Sequence, residues 1–384
     1  MTSNRSSPSF HRLRGLSVAS VAVALLSGCA NAVPPPRASA PPPRMPAMVS
    51  RPVVQALPPA AAPLPPPQRF DASAERPPAE LEATIDALWR SFPGRTGIAV
   101  RRIDGNWSVA RRGDEFFPQQ SVSKLWVTLA TLARIDAGEG ALSDQVSITA
   151  DDLTLFNQPL ARRVQSEGVV RESVDTLIER AITGRDNTAN DTLLRYAGGP
   201  DAVRRYLASR GVSGIRFGPG ERLLQSNIAG IQWRQHYSVG RGFEAARGQV
   251  PIELRQAALN RYLANPEDGA QPQAVVDALA ALARGQLLSP ASTRRVIDTM
   301  HRTTSGPQRL KAGVPPGWRV AHKTGTGQVL GALATGYNDI GIITAPDGTR
   351  YAVAVMLAST TASIPERMQL MQAVSRAVAQ SHGR

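Results

Sequence analysis

Residues 117–124 read FPQQSVSK, and an apolar stretch with helical periodicity continues from them to residue 135. This pattern predicts a helix that begins at Ser121 and carries Lys124 one turn later on the same face. A serine hydroxyl is a weak nucleophile without an adjacent base, and a lysine amine acts as that base when its surroundings lower its pKa. The stretch therefore predicts a serine–lysine pair at the start of a core helix, although Ser121 alone would also fit a helix cap.

Lysine is rare in this chain, and its rarity singles out a second segment. Only three of the 44 lysine and arginine residues are lysine, namely Lys124, Lys311 and Lys323. Arginine stays protonated, whereas lysine can lose its proton when it is buried, so a chain biased to arginine should keep lysine mainly where arginine would fail. We therefore expect chemical roles for Lys124 and Lys323, while Lys311 fits chance survival.

Lys323 opens the segment KTGTG at residues 323–327, directly after a strand-like run. Gly325 allows a substrate backbone or carboxylate to approach closely. Lys323 supplies positive charge, and the hydroxyls of Thr324 and Thr326 supply hydrogen bonds. The segment predicts one edge of a substrate site, and taken alone it would also fit a glycine-rich turn.

Strand patterns cluster at the two ends of the domain, and helical patterns lie between them. Turn signals at residues 104–105 and 346–348 predict two β-hairpins, one near each end. The sequence therefore predicts an α+β fold in which both chain ends form one antiparallel sheet with flanking helices, and an all-helical region is inserted between them. The predicted strands cover residues 97–102, 107–111, 318–323, 340–344 and 351–357, and the predicted helices cover 81–89, 121–135, 172–183, 190–196, 201–210, 273–282, 290–300 and 365–379.

Three short motifs occur along the chain in a fixed order, with SVSK at 121–124, RDN at 185–187 and KTG at 323–325. They resemble the S-x-x-K, S-D-N and K-T-G motifs of class A β-lactamases and penicillin-binding proteins. The similarity continues around the motifs and spans about residues 80–380. The chain is therefore similar to a class A β-lactamase, and the resemblance implies a serine hydrolase without a cofactor or metal.

The resemblance implies a role for each matching residue. Ser121 resembles the acylated nucleophile, and Lys124 resembles its proton acceptor. Asn187 matches the residue that contacts the side-chain amide of the substrate. The backbone N–H groups of Ser121 and Thr326 would form an oxyanion hole. The residues that match the carboxylate-binding edge are Lys323, Thr324, Gly325 and Thr326.

Residues 215–225 resemble the family's loop that carries a glutamate for deacylation. Glu221 aligns with that glutamate, which activates the water, and Gln225 aligns with its neighbouring asparagine. A surface glutamate in an ordinary loop is the alternative. Asp268 resembles the end of the same loop, so residues 226–267 form a long insertion that either covers the site or decorates the surface.

Arg185 departs from the family pattern, in which a serine stands at this position. The hydroxyl of that serine relays a proton toward the leaving nitrogen, and a guanidinium cannot do so at ordinary pH. Arg185 could instead bind a carboxylate, and Thr324 or Thr326 could take over the proton transfer. The departure puts catalytic rate and substrate preference in question more than the fold.

Residues 1–28 resemble a lipoprotein signal peptide, because basic residues precede a short apolar run that ends in LSGC. The resemblance implies cleavage before Cys29, lipid attachment to its thiol and a periplasmic, membrane-anchored protein, with Ala30 favouring the outer membrane. An ordinary secretory signal is the alternative. Residues 29–78 are rich in proline and alanine and predict a disordered spacer, which leaves residues 79–384 as the hydrolase domain. A single cysteine excludes internal disulfides.

The formal net charge is +14, but the arginines are scattered with few aromatic residues among them. No nucleic-acid-binding module is recognisable, and none is expected as a partner. Three functions remain open: β-lactam hydrolysis with antibiotic resistance, a D,D-peptidase acting on peptidoglycan stem peptides, and a non-catalytic lipoprotein that binds cell-wall ligands. Glu221 favours the first over the second. Arg185 favours the third, and the retention of Lys124 and Lys323 opposes it.

Overall fold

The central sheet takes its strands from both ends of the domain. In the computed structural model, which describes residues 75–383, the strands are β1 (Arg95–Arg102), β2 (Ser108–Arg111), β3 (Phe117–Pro118), β4 (Gln145–Ile148), β5 (Val170–Ser173), β6 (Gly269–Ala270), β7 (Arg319–Gly325), β8 (Val329–Leu330), β9 (Leu333–Thr344) and β10 (Arg350–Thr360). Six of these strands form the central sheet in the order β2-β1-β10-β9-β7, with β8 paired to β9, and all these pairs are antiparallel. The four strands outside it form two small antiparallel pairs, β3 with β6 and β4 with β5.

Helices flank this sheet, and most of them come from the part of the chain between β2 and β7. They are α1 (Ala79–Ser91), α2 (Lys124–Asp136), α3 (Leu160–Glu167), α4 (Val174–Ile182), α5 (Asn187–Tyr196), α6 (Pro200–Ser209), α7 (Glu221–Ala229), α8 (Gly242–Gly248), α9 (Ile252–Ala264), α10 (Pro272–Ala283), α11 (Pro290–His301) and α12 (Ile364–Gln380). Among residues 75–383, no helix combines the length and the apolar character that a membrane crossing requires. Cys29 and the predicted signal peptide lie outside the described residues, as does most of the predicted spacer.

The two faces of the sheet carry side chains of different size. Ile98 and Val100 on β1 point into a core that α1 and α12 close, whereas Ala99 between them points into the core shared with α10. The same alternation follows β10, where Val355 lies on the first face and Ala354 on the second. Successive side chains of a strand lie on opposite faces. The small side chains let α10 approach the sheet, and the β-branched ones fill the layer below the terminal helices.

The predicted α+β architecture is confirmed. Each predicted strand is present, and most are longer than the patterns indicated, because β9 and β10 extend beyond their apolar centres toward Leu333 and Thr360. The closing helix α12 begins beside Pro365 as predicted, and Ser363 caps it by accepting a hydrogen bond from the backbone N–H of Glu366. The two chain ends meet in the sheet, since β1 pairs with β10.

Two predicted helix boundaries are wrong. Ser121 lies in a short 3₁₀ turn, Gln120–Ser123, and the α-helix begins only at Lys124. The helix predicted over residues 172–183 begins at Val174, because the two residues before it pair with β4. Ser173 ends this strand and caps the helix by accepting a hydrogen bond from the backbone N–H of Thr176.

The insertion at residues 226–267 contains α8 and α9, which the sequence patterns did not predict. Helix α9 buries Leu259 and Tyr262 against Leu224 and Ile228 of α7. Its other apolar residues are spread around the helix and leave Leu254 exposed, so no single apolar stripe marks the helix in the sequence. The insertion therefore packs as a small additional layer on the helix that begins with Glu221.

Candidate active site

The buried helix α2 positions the predicted nucleophile. Its first nine residues are all buried, so the helix passes through the core rather than along the surface. Ser121 precedes it by one turn, and Lys124 Nζ lies 3.2 Å from Ser121 Oγ. The Lys124 side chain has no exposed surface. The sequence spacing and the core burial thus produce the predicted serine–lysine pair.

Gln120, directly before the nucleophile, has a φ of +53°, a conformation that is strained for a residue other than glycine. Its backbone N–H donates a hydrogen bond of 2.7 Å to Asp268 Oδ2, and its side-chain amide donates to the Tyr262 hydroxyl. Tyr262 in turn donates 2.9 Å to Asp268 Oδ1. Burial raises the pKa of Asp268 to about 6. The insertion thereby supports the backbone that presents Ser121.

Glu221 is distant from Lys124 in the sequence but lies beside it in the folded structure. Its Oε2 is 3.3 Å from Lys124 Nζ, and its Oε1 accepts a hydrogen bond of 3.3 Å from Asn187 Nδ2. Helix α7 begins at Glu221 after Gly220, whose φ of +97° favours glycine. The structure therefore brings Ser121, Lys124, Asn187 and Glu221 together, although they come from three separate segments.

Asn187 is the first residue of α5, and the residue before it fixes this helix start. The Asp186 carboxylate accepts hydrogen bonds of 3.1 Å from the backbone N–H groups of Ala189 and Leu160. The Asn187 amide also donates 2.8 Å to the carbonyl of Leu155. Asp186 thus works as a helix cap, and it leaves the Asn187 side chain oriented toward Glu221.

The KTG segment forms the end of β7 and one wall of the site. Lys323 is fully buried, and its ammonium donates 3.0 Å to the carbonyl of Thr324. Burial lowers the pKa of Lys323 well below its ordinary value, and the positive charges of Lys124 and Arg185 lower it further. A Cβ on Gly325 would overlap the carbonyl oxygen of Gln119. Gly325 is therefore required for the strand to approach the nucleophile turn.

Arg309 is a site residue that the sequence did not reveal. It is 5% exposed, and its guanidinium donates 2.8 Å to Thr326 Oγ1 and 3.0 Å to the carbonyl of Gly325. On the same strand, the Thr324 hydroxyl is hydrogen-bonded to the hydroxyl of Ser305, with 2.8 Å between the two oxygens. No local pattern marks Arg309, because it reaches the strand from a loop that precedes β7.

These groups surround a cleft of about 290 Å³ that opens to solvent. Ser121, Asn187, Glu221, Thr324 and Thr326 all contribute to its lining. Of the remaining predicted residues, Lys124, Lys323 and Gly325 lie behind this surface. The predicted site is therefore one continuous cleft.

Arg185 lines the same cleft and is exposed. Its φ is +57°, and the Asn157 side-chain amide holds this turn by donating 2.9 Å to the carbonyl of Gly184 and 3.0 Å to that of Arg185. Within residues 75–383, its guanidinium makes no hydrogen bond or ion pair. Position 185 thus presents an unpaired cation where the family pattern has a hydroxyl.

Two further cleft residues come from places that no motif indicated. Phe156 is 45% exposed with a φ of +61°, and its ring packs edge-on against Phe243 of α8 at 5.2 Å. Arg247, also on α8, donates 3.1 Å to Gln328 Oε1. The insertion therefore contributes to the cleft wall. His322, by contrast, is fully buried beside Asp339 and does not line the cleft.

The order of the three motifs, and their meeting beside the start of α2, restrict the class to the active-site serine proteins that include β-lactamases and penicillin-binding proteins. Within that class, residues 80–382 match the β-lactamase enzyme family, and the chain belongs to it. The resemblance that the motifs indicated is thereby confirmed.

Curated relatives support this assignment. The chain is 26% identical over 290 residues to β-lactamase VEB-1 of Pseudomonas aeruginosa, which covers 75% of this chain and 86% of that one. It is 27% identical to β-lactamase CTX-M-25 of Escherichia coli, over 78% of this chain and 88% of the relative. It is 28% identical to the extended-spectrum β-lactamase PER-1 of Pseudomonas aeruginosa, over 77% and 84%.

Solved structures show the same fold. An ancestral class A β-lactamase of Gram-negative bacteria superimposes with a TM-score of 0.60 at 29% identity, covering 78% of this chain and 99% of that one. The extended-spectrum β-lactamase TLA-1 superimposes with a TM-score of 0.65 at 22% identity, covering 80% and 99%. The α+β architecture is therefore shared with class A β-lactamases over most of this chain.

Proposed function

We propose that this protein is a class A-like serine β-lactamase that opens β-lactam amide bonds through an acyl-enzyme on Ser121. One observation carries the proposal: Lys124 Nζ lies 3.2 Å from Ser121 Oγ and 3.3 Å from Glu221 Oε2. The amine that would activate the serine is thus also in contact with the carboxylate that would activate water. Membership of the β-lactamase enzyme family and the names of the curated relatives support this function.

In the acylation step, Lys124 accepts the proton of Ser121, and Ser121 Oγ attacks the carbonyl carbon of the lactam. The negative charge that develops on the carbonyl oxygen would be held by the backbone N–H groups of Ser121 and Thr326. The C–N bond then breaks, and the nitrogen takes the proton that Lys124 accepted from Ser121. Because Arg185 has no hydroxyl, the hydroxyls of Thr324 and Thr326 are the candidates for passing that proton. The contact between Thr324 and Ser305 supports the first of them.

In the deacylation step, the Glu221 carboxylate takes a proton from water, and the resulting hydroxide attacks the ester carbonyl. The bond to Ser121 Oγ breaks, and the proton held by Glu221 returns to the serine oxygen through Lys124, which contacts both groups. Asn187 donates to Glu221 Oε1, which orients the carboxylate. This placement of Glu221 favours hydrolysis over the D,D-peptidase alternative, and the close Ser121–Lys124 contact favours an enzyme over a non-catalytic binding protein.

Steady-state hydrolysis of a chromogenic cephalosporin tests the proposal, with Ser121→Ala as the control. Sustained turnover that is lost in Ser121→Ala supports a serine β-lactamase. A single burst without turnover would indicate acylation without deacylation and would favour the penicillin-binding alternative. No reaction across a panel of penicillins and cephalosporins would favour the cell-wall-binding alternative.

We further propose that the protein is a periplasmic lipoprotein whose anchor is Cys29 and whose hydrolase domain stands away from the membrane on the proline-rich spacer. The LSGC sequence, which ends in the only cysteine of the chain, supports the anchor. A β-lactamase in that compartment would protect the cell against β-lactam antibiotics.

A further inference from the structure

The cleft contains more positive than negative charge. Arg185 and Arg247 line it, and Glu221 is the only carboxylate among its lining residues in the described part of the chain. Glu221 is already engaged by Lys124 and Asn187. The charge of the two arginines is therefore left for a ligand. A cleft with one sign of charge attracts and retains ligands of the opposite sign.

Neither arginine has a carboxylate partner within residues 75–383. Arg247 is partly buried, and its only hydrogen bond there goes to the neutral amide oxygen of Gln328. Burial lowers the pKa of Arg247, the positive charge of Arg255 lowers it further, and the negative charge of Glu244 on the same helix opposes both without forming an ion pair. A partly desolvated guanidinium with no hydrogen-bonded carboxylate can bind a ligand carboxylate strongly, because such pairs are charge-assisted and often bidentate.

The two arginines stand on different walls. Burial lowers the pKa of Lys323 and of Arg309, and the positive charge of Arg185 lowers both further. Arg185 lines the cleft together with Thr324 and Thr326 of the K-T-G edge, where the carboxylate of the β-lactam ring system would bind.

Arg247 instead extends from the insertion to Gln328, whose amide donates 2.9 Å to the carbonyl of Gln225. This places Arg247 beside the helix of Glu221. Its guanidinium also lies 6.0 Å from the ring of Phe243, the residue against which Phe156 packs at the cleft wall. An aromatic surface and a cation are thus presented together.

From this arrangement we infer that the cleft selects β-lactams with two carboxylates, one on the ring system and one on the acyl side chain. Arg247 binds the side-chain carboxylate, and Phe156 contacts an aromatic group on the same side chain. Arg185 adds positive charge beside the ring carboxylate. The inference rests on the proposed β-lactamase function and names the substrate class that this particular cleft favours.

A matched pair of penicillins tests the inference. Benzylpenicillin and carbenicillin differ only by one carboxylate on the acyl side chain, so the ratio of their kcat/KM values isolates that group. We expect the wild-type protein to prefer carbenicillin, and the preference to decline as salt is added. Arg247→Gln should lower the ratio of kcat/KM for carbenicillin to kcat/KM for benzylpenicillin by roughly tenfold.

Two variants complete the design. Arg241→Gln removes the same charge from an exposed residue of the same insertion that does not line the cleft, and it should leave the ratio unchanged. Arg247→Lys keeps the charge without the planar fork, and it should retain part of the preference. Circular dichroism and a cooperative thermal unfolding transition report in each case that the variant is folded.

The outcomes separate the inference from the function on which it rests. If both penicillins are turned over but the wild-type protein does not prefer carbenicillin, the inference alone is overturned. The same holds if Arg247→Gln keeps the preference. Absence of turnover together with absence of an acyl adduct on Ser121, measured by mass spectrometry, would overturn the proposed function and the inference with it.

Discussion

A guanidinium at position 185 changes what one residue of the cleft can do. It adds charge beside Lys323, which strengthens the binding of an anion, but it cannot pass a proton to the leaving nitrogen. Serine in the same left-handed turn would be no more strained than arginine, since both have a Cβ. In the proposed mechanism, arginine at this position strengthens the binding of an anion and gives up the proton relay, and Arg185→Ser should reverse both effects.

We expect Arg185→Ser to raise kcat for β-lactam hydrolysis, because it restores a hydroxyl that can relay the proton, and to raise KM, because it removes a positive charge. Steady-state kinetics with a chromogenic cephalosporin measure both effects. Arg185→Ala is the matched control, since it removes the charge without adding a hydroxyl. An unchanged or lower kcat in Arg185→Ser would contradict this role of Arg185, and an equal gain in both variants would assign the effect to charge alone.

Glu221 offers a second prediction at the residue scale. Glutamine has the same size but cannot accept the proton of water, so Glu221→Gln should acylate and then stall. We expect a burst of product close to one equivalent of enzyme, a kcat reduced by about 100-fold or more, and an acyl adduct on Ser121 visible by mass spectrometry. Glu253→Gln, on the exposed side of α9, serves as control. Full turnover in Glu221→Gln would assign the deacylating base elsewhere.

At the scale of elements, the site depends on how helix starts are capped. Asp186 caps α5 and so positions Asn187. Asp191, one turn later on the same helix, accepts the backbone N–H of Glu221 at 3.2 and 3.3 Å, and so positions the start of α7. Helix α5 therefore orients both Asn187 and Glu221. This explains why α5 and the start of α7 lie close together, although 30 residues separate Asp191 from Glu221.

This contact between helices predicts a pH-dependent stability. Burial and the charge of Glu221 raise the pKa of Asp191 to about 6, whereas an unfolded aspartate titrates near 4. The folded state therefore keeps the proton of Asp191 to a higher pH than the unfolded state does. As a result, the free energy of unfolding falls as the pH rises from about 4 to about 6. Asp191→Asn should raise the free energy of unfolding by on the order of 1–3 kcal/mol at pH 7 and change it little at pH 4.

Urea unfolding at the two pH values measures this effect. The exposed Asp151, changed to asparagine, gives the matched control and should show no such pH dependence. The same change in unfolding free energy at pH 4 and pH 7 for Asp191→Asn would contradict the prediction.

At the scale of the whole molecule, the anchor and the catalytic domain are separate predictions. If Cys29 carries lipid, Cys29→Ser should move the protein from the membrane fraction to the soluble periplasmic fraction and abolish labelling by radioactive fatty acid. Hydrolysis by the released protein should be unchanged, because the site lies wholly within the hydrolase domain. Ser121→Ala is the control, since it should stay in the membrane fraction and lose only activity. Membrane retention of Cys29→Ser without label would contradict the lipid anchor.

The fold class follows from the amino-acid pattern, as do the groups that are neighbours along one element. Ser121 and Lys124 are one helical turn apart, and Lys323 to Gly325 share one strand that Thr326 directly follows, so local geometry alone brings each set together. Glu221 and Asn187 could be assigned only through family resemblance, because the contacts of Glu221 with Lys124 and with Asn187 join three distant segments. The helices of the insertion were missed because their apolar residues do not form a single stripe.

Tertiary structure alone decided which other side chains reach the cleft. Arg309, Arg247 and Phe156 come from loops and from the insertion, and nothing in their local sequence indicates a site. The pairing of Tyr262 with Gln120 likewise depends on how α9 packs against α7. Local spacing determines contacts within an element, whereas contacts between elements depend on the packing of many side chains at once. The physical reason for the division is therefore that packing is a property of the whole core and not of any short segment.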